Sequence, residues 1–241
     1  LRRQRQMCIR DRVRTADEIV DAGLPPHDAA ALLDAYEATV RAAPAQRFHA
    51  DPIVHAYALS ARRCGFEDAH VAQFFASMRC DLTRTAHTQA SFDEYVCGSA
   101  EVIGLLCLSA FYSGRPHPPA LDDGARRLGA AFQKINFLRD LHEDTTELGR
   151  AYFPTVPDPA HLTEPQKQEL IADIRADLKV ARAATARLPR GSRAGVAAAT
   201  ALFSELTDRL ATTPAADITH TRVSVPPGRK AFLVSLSLIH I

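Results

Sequence analysis

Along nearly the whole chain, apolar residues recur at the three- and four-residue spacings of an α-helix, and the alternation of a half-buried strand is almost absent. Such a chain must bury helix against helix, so the pattern predicts an all-α fold. Local signals mark the helix ends. Pro25-Pro26 opens a helix through about Ala43, and Asp51-Pro52 supplies a cap and a first-turn proline for one ending before Gly65. A further helix runs from Glu67 to about Arg84, and Ser91-Phe92-Asp93-Glu94 reads as a capping box heading a long apolar helix to about Tyr112. The break Gly114 to Pro119 precedes a helix from roughly Leu121 to Thr146. Thr163-Glu164-Pro165-Gln166 starts another, and Gly191 to Ala211 gives one more, ended by Pro214. No solenoid period and no long linker appears, which predicts a single domain.

With 46% hydrophobic and 24% charged residues among 241, the chain has the composition of a globule able to bury a full core. Its 29 basic and 28 acidic residues nearly cancel, so no broad electrostatic footprint for nucleic acid is present and local clusters must carry any ion binding. Cys8, Cys64, Cys80, Cys97 and Cys107 are scattered, odd in number and without a C-x-x-C pair, which points to a reducing cytoplasm rather than a zinc site or disulfide framework. The ten histidines include no H-E-x-x-H, so no zinc is expected. The apolar stretch Val102 to Tyr112 falls short of the roughly 20 residues a spanning helix needs. No apolar h-region follows the basic start, so no signal peptide is expected. Residues 1–12 and 235–241 resemble translated adapter sequence, and the expected domain is therefore 13–232.

The most informative stretch is Gln133 to Asp144. Helical spacing puts Asn136, Asp140 and Asp144 on one face, bordered by Gln133 and Arg139, while Ile135, Leu138 and Leu141 lie on other azimuths and can pack. That stripe of oxygens with flanking cations suits a hard metal ion and an anion. Upstream, Asp17 and Asp21 stand at i and i+4 with Arg14 one turn earlier. Like charges at that spacing repel by a few tenths of a kcal/mol unless a cation lies between them. Either acidic pair alone is most simply a solvated helix face, and only the recurrence of the device favours a site. Gly98 and Gly104 each cost about 1 kcal/mol against alanine inside a helix, so close packing or pocket space must require them.

Four segments in order carry a resemblance. They are Arg14-x-x-Asp17-Glu18-x-x-Asp21, Tyr95-x-x-Gly98-Ser99-Ala100-Glu101-Val102-Ile103-Gly104, Gln133-x-x-Asn136-x-x-Arg139-Asp140-x-x-Glu143-Asp144 and Gly149-Arg150-x-Tyr152-Phe153-Pro154. Together they resemble the squalene/phytoene synthase family, the second segment looking most like the bacterial phytoene synthases. The resemblance implies an isoprenoid-synthase-type helical bundle around a central cavity, with Asp17 and Asp21 on one wall and Asn136, Asp140 and Asp144 on the facing one. Those five would hold Mg²⁺, with Mn²⁺ as the alternative ion, and the four aspartates would be catalytic. Arg14, Gln133, Asn136, Arg139 and Arg222 match positions that contact substrate diphosphate.

The activity implied is head-to-head condensation of two prenyl diphosphates, foremost two geranylgeranyl diphosphates to 15-cis-phytoene through a cyclopropyl diphosphate intermediate, in carotenoid biosynthesis. A squalene or dehydrosqualene synthase acting on farnesyl diphosphate is the rival within that chemistry, and a non-catalytic helical binding or assembly factor is the rival outside it. A cytoplasmic enzyme touching a membrane surface is expected from so apolar a product, and no oligomeric state follows. Phe74, Phe75, Val102, Leu105, Leu106, Phe132 and Phe137 are candidate cavity linings, each as readily core. Departures from the family pattern are Cys97 and His87 where relatives carry tyrosine, Phe203 where some do, and some two helices fewer ahead of Asp17.

Overall fold

The computed structural model describes residues 2–230, with side chains from residue 9 onward. The all-α expectation holds: the described residues form α-helices joined by short 3₁₀ and π-helical turns, and among them the strand-like feature is an isolated parallel bridge between Ala86 and Ala151. The chain separates into two compact units, one of residues 1–84 and 94–118 and one of residues 85–93 and 119–241.

In the first unit, α1 (Arg2–Val20) packs on α3 (Pro52–Cys64), α2 (Pro26–Ala42), α6 (Val102–Tyr112) and α4 (Asp68–Cys80). The core gathers Leu33, Val40, Val54, Tyr57, Phe74, Phe75 and Val102 from four of these helices. The Asp51-Pro52 start is as expected, with the Asp51 carboxylate accepting from the Ile53 and Val54 amides, and Gly65 at φ 63° ends the helix in the left-handed region. The segment through Arg12, whose sequence resembles adapter, forms the first part of α1, and both Ile9 and Arg12 are buried. The Arg12 guanidinium lies 4.9 Å from the Phe74 ring centre and 5.1 Å from that of Tyr57, so cation–π attraction offsets part of its desolvation. Residues 235–241 lie outside the described residues.

The apolar helix is also differently built. It begins earlier, at α5 (Gln89–Val96), where Thr88 and Ser91 exchange side-chain to backbone hydrogen bonds, so Thr88 and not Ser91 is the cap. A π-helical turn, Cys97–Glu101, then joins α5 to α6. The whole stretch Gln89–Tyr112 is 24 residues, long and apolar enough to cross a bilayer, but half of its most apolar window is buried in protein, as in a core helix. At the π turn, Gly98 answers the packing requirement. A Cβ there would lie 2.1 Å from Ser77 Oγ and 2.5 Å from the Gln73 carbonyl oxygen, so only glycine lets α4 approach.

The second unit is built on α7 (Ala120–Arg139), which packs along α9 (Glu164–Thr185), with α10 (Arg190–Thr212) against both. A complete capping box between Thr163 and Gln166 starts α9, as the sequence predicts. Charged groups also cross the interface: Asp177, buried, accepts from Arg127 at 2.9 Å and Lys134 at 2.8 Å. The expected continuous helix to Thr146 is interrupted. Asp140, at φ −98° and ψ 11°, ends α7 and leads into α8 (Leu141–Thr146).

Candidate active site

In the first unit the acid groups gather at the end of α1. Asp17 lies in its last turn and Asp21 just beyond, where the Asp21 amide donates to the Asp17 carbonyl at 2.9 Å, so the two side chains keep helical spacing. Asp17 as a residue is exposed. Loss of solvation, followed by the negative charges of Asp21, Asp81 and Glu18, pushes its carboxyl up to about 7. Asp81, which follows α4, accepts a 2.7 Å hydrogen bond from the Tyr95 hydroxyl. Ser77 in turn donates to the Tyr95 carbonyl at 3.2 Å, and Gln73 Nε2 approaches Cys97 Sγ at 3.2 Å. Asp81 and Tyr95 therefore join the candidate site residues, and sequence reasoning did not assign them. Tyr95 lay inside a quoted motif, but no spacing rule links Asp81 to Asp17. Arg14 is turned to the surface, where its Nε donates to Glu18 at 2.8 Å.

In the second unit the stripe survives the helix break. The Asp140 amide donates to the Asn136 carbonyl at 2.8 Å and the Asp144 amide to the Asp140 carbonyl at 2.9 Å, so the i, i+4 relation is kept through a backbone conformation in which active-site residues often sit. Two arginines hold the Asp140 carboxylate. Arg139 donates from Nε at 2.8 Å and also from Nη2, and Arg222 Nε lies 2.8 Å away. Arg222 also stands 3.8 Å from Glu143, and the segment carrying it is anchored where His142 Nδ1 donates to the Thr219 carbonyl at 2.8 Å. Gln133 and Asp144 are half-buried on the same helical path. The Asn136 amide oxygen is buried with no hydrogen-bond partner.

The aromatic candidates fall mostly in cores. Phe74, Phe75, Val102, Leu105, Leu106 and Phe137 are buried. Phe137 stacks on Tyr152 at 4.0 Å, and the His87 ring lies nearly parallel to that of Tyr152 at 6.0 Å. Phe132, half-buried, stacks on Phe203 at 3.9 Å.

These donors suit a hard divalent cation. A buried amide oxygen lacking a partner has a desolvation cost that a metal bond would cancel, and a carboxyl raised by lost solvation and then by like charges would regain its charge beside a cation. Among the described residues no three His, Cys, Asp or Glu side chains close on one point. Mg²⁺ does not need such a cage, since it keeps waters and takes substrate phosphates into its shell.

A family model described as squalene/phytoene synthase matches residues 2–156. The chain belongs to the squalene/phytoene synthase family. Members of that family are prenyltransferases that join prenyl diphosphates head to head and use a divalent metal with their diphosphate substrates. Phytoene synthases of Mycobacterium bovis and Mycobacterium tuberculosis are each 33% identical to it over 144 residues, 58% of this chain and 45% of theirs. The chain thus spans about half the length of these relatives.

Among solved structures, a dehydrosqualene synthase in complex with ligand superposes with a TM-score of 0.82 at 17% identity, covering 99% of this chain and 87% of its own. Squalene synthase HpnC from Alicyclobacillus acidocaldarius gives 0.71 at 19% identity, covering 84% and 81%. Likeness at that identity establishes the shared all-α synthase fold.

Proposed function

We propose that this member of the squalene/phytoene synthase family condenses two geranylgeranyl diphosphates, in the presence of Mg²⁺, to 15-cis-phytoene. The observation that carries the reading is the Asn136–Asp140 site, where a buried amide oxygen without a partner lies one turn from a carboxylate held by two arginines. Such a group of donors and cations suits a metal diphosphate. The C20 substrate is favoured by the name that the two mycobacterial relatives carry.

Bound Mg²⁺ would supply Lewis-acid neutralisation of the departing diphosphate. Asn136, Asp140 and Asp144 form one set of oxygen ligands assigned to such an ion, and Asp17 and Asp21 form a second set of their own. Arg139 and Arg222, which grip Asp140 when no substrate is there, exchange that carboxylate for diphosphate oxygens, a task suited to the planar guanidinium fork. Their positive charge stabilises the leaving group as the allylic C1–O bond breaks. The C2=C3 double bond of the second substrate attacks the resulting cation, and loss of a proton closes the cyclopropane. Departure of the second diphosphate, rearrangement and loss of another proton complete the C40 hydrocarbon with its central conjugated triene. Two diphosphates and two protons leave, and no reductant is consumed. Tyr95, hydrogen-bonded to Asp81, is positioned to keep that carboxylate oriented beside Asp17.

The test is product analysis after incubating the protein with Mg²⁺ and either geranylgeranyl or farnesyl diphosphate. Phytoene from the C20 substrate supports the reading. A C30 hydrocarbon from farnesyl diphosphate, with none from C20, transfers the assignment to dehydrosqualene or squalene synthesis. Binding of either diphosphate without any product would make the chain a non-catalytic relative.

A further inference from the structure

We propose that the outer face of α3 and the turn preceding it form a docking surface for an anionic lipid bilayer. This rests on geometry separate from the acidic sites and stands whether or not the condensation reading holds.

The face combines exposed apolar area with charge of one sign. Phe48 is 71% exposed and Leu59 is 49% exposed. Single exposed apolar side chains are ordinary, but these two belong to one continuous surface. The Phe48 ring lies 5.0 Å from that of His55, and His55, Leu59 and the Arg62–Arg63 pair follow at helical spacing along α3. Arg62 Nη1 donates to the carbonyls of Pro44 at 3.2 Å and Gln46 at 2.8 Å, which pins the turn carrying Arg47 and Phe48 to the end of the helix. Arg47, Arg62 and Arg63 are exposed, and among the described residues the ion pairs of this unit are made by other arginines, Arg14, Arg41 and Arg79. The one carboxylate within the face, Asp51, is turned to the helix end, accepting from the Ile53 and Val54 amides at 2.7 and 3.0 Å.

Three guanidinium groups that make no ion pair among the described residues, around an aromatic and a leucine, suit a bilayer that offers phosphate headgroups above an apolar boundary. The aromatic enters the boundary region, and each arginine near an anionic surface strengthens binding about fivefold. Binding should therefore be electrostatic in onset and weakened by salt.

The chain contains no tryptophan, so Phe48→Trp installs a single fluorescent reporter. The expected result is sedimentation with vesicles of phosphatidylcholine containing about 30% phosphatidylglycerol, much less with phosphatidylcholine alone, and release in high salt. Tryptophan at position 48 should shift to the blue and be quenched by brominated lipid, whereas Val180→Trp, at an exposed position on α9, should not respond. Arg47→Glu with Arg63→Glu should weaken vesicle binding more than tenfold, and Phe48→Ser with Leu59→Ser by a similar factor, with thermal melting confirming that each variant remains folded. The proposal is overturned if the parent protein does not bind the anionic vesicles, if both double variants bind as the parent does, or if residue 48 and residue 180 report lipid equally.

Discussion

Asp17 is the residue whose environment makes the sharpest demand. Its carboxyl is pushed from 3.8 to about 7 by lost solvation and by Asp21, Asp81 and Glu18. Between those values the folded protein holds a proton that the unfolded chain has released, so this group's contribution to stability falls as pH rises through the window. Above about 7, charged Asp17 is a penalty that a bound cation removes. In EDTA, Asp17→Asn should therefore melt higher than the parent at pH 8, and the gap should close toward pH 5. Added Mg²⁺ should raise the parent's melting temperature at pH 8 more than at pH 5. Thermal scans across pH check this, and equal pH slopes for parent and variant would count against the account. The pairing of Asp17 with Asp21 was legible in their spacing. The part of Asp81 was not, because tertiary packing of α4 against the π turn brings it there. The burial of Arg12 over Phe74 and Tyr57 was not legible either, because nothing in the local sequence of an arginine signals that aromatic rings will cover it.

At the scale of the element, the π turn Cys97–Glu101 and the bend at Asp140 do what regular helix cannot. At the start of the π turn Tyr95, just before it, reaches Asp81, and Cys97, its first residue, faces Gln73. Its close contact with α4 depends on Gly98. Gly98→Ala would force its methyl against the Gln73 backbone carbonyl and should cost about 1–3 kcal/mol by overpacking, read as a lower urea midpoint. Unchanged stability would mean that the helices separate freely there. Neither irregularity could be read from periodicity, since the residues around Gly98 and Asp140 continue the 3.6-residue pattern. Caps were more legible. Asp51 and the Thr163–Gln166 box are where the sequence predicts, because capping depends on a few adjacent residues, whereas Ser91 lost the cap of α5 to Thr88, another hydroxyl three residues earlier.

For the whole molecule, helical period and the near absence of strand pattern were enough for the all-α class, and four ordered motifs were enough for the family. The central claim is that acidic helix faces and the arginines beside them work on a metal diphosphate. It is tested most directly by measuring Mg²⁺-dependent release of inorganic diphosphate from geranylgeranyl diphosphate, comparing the parent chain with Asp140→Asn. The account predicts release by the parent that stops when Mg²⁺ is chelated and falls by about a hundredfold or more in the variant. Release that is independent of Mg²⁺, or equal in both proteins, would contradict it.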